Sequence, residues 1–325
     1  MSNIGILSLG HYLPHYRLTN AQLEKMVETS DEWIMTRTGI KERRVALTGE
    51  KTSNMAIAAA KEALHNAPLT GADIDLIVVA TTTGDSAFPS VACLVQKAIH
   101  AKHAAAFDVA AACSGFLYAL TTAKQFLMTG AAKRALIIGA DKFTNILDWN
   151  DRSTCVLFGD GAAAAVLGSV RQPRGILSDY LLGLGDYAEY LCVVAAEREQ
   201  FEQKNLLIRS PYVVMQGQEL FKVAVNSMAL AVETAAKKAG VDVKDIQCVV
   251  PHQANDRIIS AVAKKMGIPK DLFFINIEKY GNMSAASIGV ALYEAVEQKR
   301  IKRGDLIALV VFGAGLVAGA NIVRW

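Results

Sequence analysis

Residues 54–79, NMAIAAAKEALHNAPLTGADIDLIVV, and residues 226–251, NSMALAVETAAKKAGVDVKDIQCVVP, align without a gap at an offset of 172 positions. Asn54 falls on Asn226, Ala63 on Ala235 and Asp73 on Asp245. Each segment reads as an alanine-rich helix, a short loop and a continuous apolar strand. A twofold repeat of this length marks a duplicated unit, whereas a solenoid stacks three or more short repeats. Working outward, the element order stays parallel. After the first strand the pattern predicts a helix near 90–100, a strand over 104–110 (AAAFDVA), a small-residue turn and a helix from Cys113 to about Met128. After the second it predicts a helix over 254–266, a strand over 273–277 (FFINI), a turn and a helix from Ser284 to about Gln298. Each half then closes with two apolar strands. Alternating strands and helices give parallel pairs with helical crossovers, and strands apolar along their whole length are covered on both faces. The helix opening at Cys113 carries no charge before Lys124, which places it between the sheets. The predicted fold is α/β: two βαβ-rich halves, residues 1–171 and 211–325, with central helices between two mixed sheets. Residues 172–210 have no repeat partner in this reading and form an excursion bridging the halves.

Composition narrows the function classes. The chain has 325 residues, 52% of them hydrophobic and 20% charged, with a formal net charge of +3. That length buries a core without staples, and that apolar share excludes a disordered chain. Like charges run only in pairs and triplets, so no nucleic-acid partner is expected. The five cysteines are an odd number, widely spaced and without a CxxC pair. They fit free thiols in a reducing compartment, with neither a disulfide framework nor a metal site. The opening MSNIGILSLG has no basic n-region and no cleavage site, so no signal peptide is expected. Residues 306–323 (LIALVVFGAGLVAGANIV) are uncharged and reach the lower limit for a membrane helix. Gly313, Gly315 and Gly319 interrupt them, and two buried strands joined by a glycine turn fit better. A soluble, cytoplasmic protein without a membrane span is the expectation.

Three residues stand out for chemistry. Cys113, in FDVAAACSGF, follows a buried strand and a run of small residues and opens a helix. A helix N-terminus favours the thiolate, the nucleophilic form, and small neighbours leave room for substrate. Cys93, Cys155, Cys192 and Cys248 lack that context and read as small packing residues. His252, in PHQAND, ends an apolar strand, where α/β folds place their sites. Asn282, in YGNMSAAS, precedes the helix that repeats the Cys113 helix. The duplication brings all three to one end of the two sheets. GxGxxA patterns at Gly159, Gly183 and Gly313 lack the strand-to-helix setting of a dinucleotide site, so no nucleotide cofactor is expected. The Gly313–Gly315 turn offers backbone N–H groups that complete an oxyanion hole with the amide of Cys113.

These motifs, together with GHYLP, TSDEWIMTRTGI, AFPSVAC, FGDGAAAAVLG and the C-terminal FGAG, closely resemble the β-ketoacyl-acyl-carrier-protein synthase III family of the thiolase superfamily. The resemblance covers most of the chain and implies the duplicated thiolase-like fold. It places the family's Cys–His–Asn triad on Cys113, His252 and Asn282, and the oxyanion hole on the N–H groups of Cys113 and Ala314. A thiolase needs a late second cysteine, and none follows Cys248. The implied reaction is a ping-pong, decarboxylative condensation of an acyl-CoA primer, acetyl-CoA or similar, with malonyl-acyl-carrier protein, initiating fatty-acid synthesis without metal or cofactor. By the same resemblance Trp33 and Arg152 sandwich the CoA adenine, Arg37 meets its phosphates and Phe88 walls the acyl pocket. Arg257, Lys264 and Lys265, with Lys222, form a docking patch for the acidic carrier protein, and the protein is a homodimer. Two departures are visible. The family's Gly-Gly-Gly is Gly313-Ala314-Gly315, and 178–196 lacks the expected Gly/Ser-rich pattern, leaving the primer open. A condensing enzyme of secondary metabolism and a catalytically silent acyl- or CoA-binding protein are the alternatives.

Overall fold

The computed structural model describes residues 2–193 and 212–325. Its first sheet contains β1 (Ser2–Tyr12), β4 (Leu76–Ala80), β5 (Ala105–Val109), β6 (Ala135–Lys142) and β7 (Asp160–Arg171), in the order β1-β7-β6-β4-β5. A hairpin of β2 (Tyr16–Thr19) and β3 (Glu42–Val45) lies outside it. The second sheet contains β8 (Gly175–Gly183), β11 (Cys248–Pro251), β12 (Leu306–Gly313) and β13 (Val317–Arg324), in the order β11-β12-β13-β8. Between β8 and β11 a short ribbon pairs β9 (Leu191–Cys192) with β10 (Val214–Met215). Both sheets are mixed, since β4 is parallel to β5 and β6, and β11 to β12, while the remaining pairs are antiparallel.

The repeat is exact where it matters for the site. Leu76 pairs with Ala135 in the first sheet and Cys248 with Ile307 in the second, the same register shifted by 172. The helices Gly115–Met128 and Ala286–Glu297 lie between the sheets, while Thr52–Asn66 and Gly217–Ala239 cover the outer faces. Five layers result. Alternate residues of one strand feed different cores, as side chains on a strand must. Ile137 of β6 packs inward with the central helices, and Leu136 and Ile138 pack outward under Thr52–Asn66. In β12, Ile307, Leu309 and Val311 face inward and Ala308, Val310 and Phe312 face outward. The uncharged 306–323 run is therefore two strands, and no helix among the described residues is long and apolar enough to cross a membrane. Lys124, buried on the central helix, pairs with Asp179 of β8 at 2.5 Å.

Two expectations need correction. FFINI is not a strand: Phe273 makes one bridge to Val249, and the chain turns into the short helix Ile277–Tyr280. Asn276, inside this stretch, donates its N–H to Gln253 Oε1 and its Nδ2 to Glu294 Oε2, so side chains take the hydrogen bonds a ladder would have used. The stretch 172–210 is not all excursion. Gly175–Gly183 is the second half's counterpart of β1, pairing with β13 as β1 pairs with β7. The shared tetrapeptide GILS, at 5–8 and again at 175–178, is the signal that sequence reading passed over. Positions 194–210 of the expected excursion lie outside the described residues.

Candidate active site

Cys113 occupies the 3-10 turn Ala112–Ser114, one turn ahead of the helix Gly115–Met128, not its first α-helical position. Ala112 is held at φ +43°, a conformation rare for a residue with a side chain, and this aims the cysteine into the site. His252 follows β11, its N–H bonded to Val310 O at 2.7 Å. Asn282 is fixed by its backbone, donating to Leu157 O and accepting from Gly159 N–H, each at 2.9 Å. Its Oδ1 accepts from Ser284 N–H at 2.9 Å, which leaves the amide NH₂ to act as a donor. The three side chains are buried and share one cavity of about 120 Å³, also lined by Phe312, Gly313, Asn255 and Ile258. Cys113 and Leu191 line a second cavity of about 320 Å³ as well, with Phe143, Ile146, Val193, Val213 and Ala314. The sulfur therefore stands where a narrow polar-ended channel meets a wider apolar pocket.

Electrostatics correct one expectation. Burial pushes the Cys113 thiol up to about 12; Ser284 and Asn282 pull it the other way, and the Asp141 charge adds to the rise. The turn's N–H groups do not win against desolvation, so the resting group is the thiol. Burial likewise lowers His252 to about 3, and neither ring nitrogen has a hydrogen-bond partner among the described residues. A neutral imidazole with both edges free can donate with one nitrogen and accept with the other. A Cβ at Gly313 would lie 3.0 Å from both Cβ and N of Cys113, so a side chain there would crowd the cysteine. Positive φ among described non-glycine residues is confined to Pro68, His100, Ala112, Ser284 and Lys299, so the Ala314 departure introduces no such strain. Among the described residues no group of three or more His, Cys, Asp or Glu could hold a metal ion.

Other candidates gather at the mouth or fall away from it. The helix Asp31–Thr38 starts at the Ser30 cap, whose oxygen accepts Trp33 N–H, and stops at Gly39 with φ +80°. It presents Trp33 with the Arg37 guanidinium 4.7 Å and the Arg152 guanidinium 5.3 Å from the ring centre. Asn255 caps the helix Asp256–Met266 and donates from Nδ2 to Arg37 O at 3.0 Å, tying this cluster to the channel. Arg257, Lys264 and Lys265 are exposed on that helix and make no ion pair among the described residues; exposed Lys222 faces Glu219 at 3.4 Å. Phe88 lines neither cavity. It is 85% exposed on the loop leading to the helix Val91–Ala98, so it is not a wall of either cavity. Cys155 and Cys248 are buried as packing residues, whereas Cys93 is exposed and Cys192 lines the wider pocket. Sequence reading missed Ser284, whose buried hydroxyl has no partner within hydrogen-bond geometry among the described residues yet lies close enough to act on the thiol. It also missed Asp141 and the pocket residues Phe143, Ile146 and Leu191. Only Ser284 left a signal, its place two residues after Asn282.

Comparison with known proteins agrees with this geometry. The family described as 3-oxoacyl-[acyl-carrier-protein (ACP)] synthase III matches residues 107–183, and its C-terminal region matches 236–325. A β-ketoacyl-[acyl-carrier-protein] synthase III from Oceanobacillus iheyensis is 50% identical over 323 residues, covering 99% of each chain. The crystal structure of the Aquifex aeolicus 3-oxoacyl-[acyl-carrier-protein] synthase III superposes with a TM-score of 0.93 at 49% identity, covering 99% of this chain and 100% of that one. The priming β-ketosynthase of the R1128 polyketide pathway gives 0.91 at 32% identity, covering 99% and 96%. With a buried cysteine, histidine and asparagine converging on one channel in a duplicated thiolase fold, and with relatives near 50% identity along its whole length, the chain belongs to the β-ketoacyl-[acyl-carrier-protein] synthase III family.

Proposed function

We propose that the protein condenses an acyl-CoA primer with malonyl-acyl-carrier protein to give 3-ketoacyl-acyl-carrier protein, the opening step of fatty-acid synthesis. The observation that carries this reading is the position of Cys113 at the junction of two cavities, one apolar and one ending in His252 and Asn282. In the first half-reaction the Cys113 sulfur attacks the acyl-CoA thioester. Its proton ends on the departing CoA sulfur, so a thiol held up to about 12 loses no net proton to solvent. The N–H groups of Cys113 and Ala314 stabilise the tetrahedral oxyanion, and the acyl chain enters the apolar pocket. In the second, His252 and Asn282 donate to the thioester oxygen of the malonyl group. The carbon–carboxylate bond breaks, carbon dioxide leaves, and the electron pair becomes an enolate held by those donors. The enolate carbon attacks the acyl-Cys113 carbonyl, and the sulfur departs and regains a proton. No step requires a metal or redox cofactor.

The substrate's nucleotide end fits the Trp33 cluster. Two stacked contacts on an intervening ring need about 7 Å. Arg152, at 5.3 Å, is therefore displaced when adenine stacks on Trp33, while Arg37 meets phosphate. Arg257, Lys264 and Lys265 are exposed on the helix that gives Ile258 to the channel, Lys222 is exposed beside the lining residue Phe221, and the four suit an acidic carrier protein. A homodimer through β5 is the proposed assembly. That edge strand has no second neighbour among the described strands, and exposed Phe88 lies on the loop beside it, so Phe88 serves a pocket across the interface. A cytoplasmic location accords with the free cysteines. Relatives near 50% identity favour fatty-acid initiation over the polyketide alternative at 32%. The test is intact-protein mass spectrometry after exposure to a panel of acyl-CoAs. One acyl group should appear per chain, absent in Cys113→Ala, and malonyl-acyl-carrier protein should discharge it as 3-ketoacyl product. A chain that loads no acyl group supports a silent binding protein instead.

A further inference from the structure

The register shared by the two sheets gives every residue near the site a counterpart. Ala112 at φ +43° and Ser284 at φ +48° are 172 apart, the same offset that relates Leu76–Ala135 to Cys248–Ile307. Cys113 then corresponds to Ala285, and Gly313, at the end of β12, corresponds to Asp141, near the end of β6. The correspondence holds in space. Gly313 lies against the N atoms of Cys113 and Ser114, while Asp141 lies against the N–H of Ala285, which donates to its Oδ2 at 3.2 Å. One turn has thus been built twice. In the first copy the residue facing the amide has no side chain, which leaves space for a substrate oxygen. In the second a carboxylate of the protein's own chain already fills that space.

Asp141 is wholly buried and has no cationic partner among the described residues, so its hydrogen bonds must hold it. Oδ1 accepts from Thr81 Oγ1 (3.0 Å), Thr82 N–H (2.9 Å), Thr82 Oγ1 (3.4 Å), Thr83 N–H (3.2 Å) and Thr83 Oγ1 (2.8 Å). Five donors fix one oxygen, and the other is aimed at the second half. The Ala285 amide it holds follows Ser284, whose N–H in turn holds Asn282 Oδ1. We infer that Asp141 is a positioning residue for the condensation half-reaction, an internal anion that locks the duplicate turn so that Asn282 and Ser284 are presented to the Cys113 site. The inference rests on the proposed two-step reaction and adds to it a residue that touches no substrate.

Asp141→Asn tests this, because its carbonyl oxygen can keep the threonine donors while its NH₂ faces the Ala285 N–H, donor against donor. Acyl loading of Cys113, followed by mass spectrometry in single turnover, should fall by less than about 3-fold, while discharge by malonyl-acyl-carrier protein falls by about 10-fold or more. Thr81→Val removes one donor and keeps the charge, and should show the same split at about 3-fold; it stands alone if the Asn variant fails to fold. Wild-type condensation in folded Asp141→Asn, or equal loss of both half-reactions, overturns the inference. Absence of loading in the wild-type chain would instead overturn the proposed function.

Discussion

The turn before Gly115–Met128 and the turn before Ala286–Glu297 share a backbone and differ in what they hold. Each has one residue in the left-handed region, each opens a helix buried between the sheets, and each faces the end of a parallel strand. The first carries a thiol and looks onto Gly313. The second carries Ala285 and looks onto Asp141. A buried N–H left without an acceptor is costly, so a duplicated turn can be kept empty only where a ligand regularly fills it. In the proposed reaction the half with the empty turn does the covalent chemistry, and the half with the filled turn supplies fixed donors.

The largest effects should separate the halves outright. Cys113→Ala should abolish acyl loading, whereas His252→Ala and Asn282→Ala should leave loading largely intact and lower condensation by about 10²–10³-fold, read in single-turnover assays. If either second-half change blocked loading as fully as the cysteine change, the division would be broken. A smaller effect tests the resting state of the first turn. With the thiol raised to about 12 and His252 lowered to about 3, the thiolate fraction should climb about tenfold per pH unit from pH 6 to 10, without a plateau. Iodoacetamide alkylation of Cys113 should follow it, and an inflexion near pH 7 would show that the turn, and not burial, governs the sulfur. The smallest effects concern recognition. Trp33→Ala should raise KM for acyl-CoA about 5-fold and leave KM for the carrier protein unchanged. Arg257→Glu with Lys264→Glu should do the opposite by a few-fold, because exposed charges are worth little singly.

What was legible in the sequence was whatever depends on period and spacing. The 172-residue offset gave the duplication, and the uncharged run after Cys113 gave the buried helix. The position of His252 at a strand end marked the site. What was hidden depends on contacts between halves. Asp141 in GADK looks like a strand-end acid, and only the fold brings the Ala285 amide to it. The thiol's upward shift arises from layers packed over Cys113, which a local helix-terminus argument does not include. Phe88 sits in a motif with an apolar neighbourhood, yet its exposure follows from the loop's direction beside an edge strand. GILS at 175–178 was readable, but it repeats at an offset of 170 instead of 172, because two residues are gained between β8 and the long helix.

The buried Lys124–Asp179 pair and the two shared central helices have a consequence for biosynthesis. The first sheet and the Gly115–Met128 helix are complete as a sequence by residue 171, but their inner face is covered only once the helix Ala286–Glu297 and strands ending at residue 324 have been made. At about 5–20 residues per second, a ribosome needs roughly 10–30 s to supply the rest. Through that interval a nascent chain would carry an apolar helix flank and a lysine whose partner arrives with β8. Truncation anywhere before β13 should therefore yield aggregate instead of a half-sized domain.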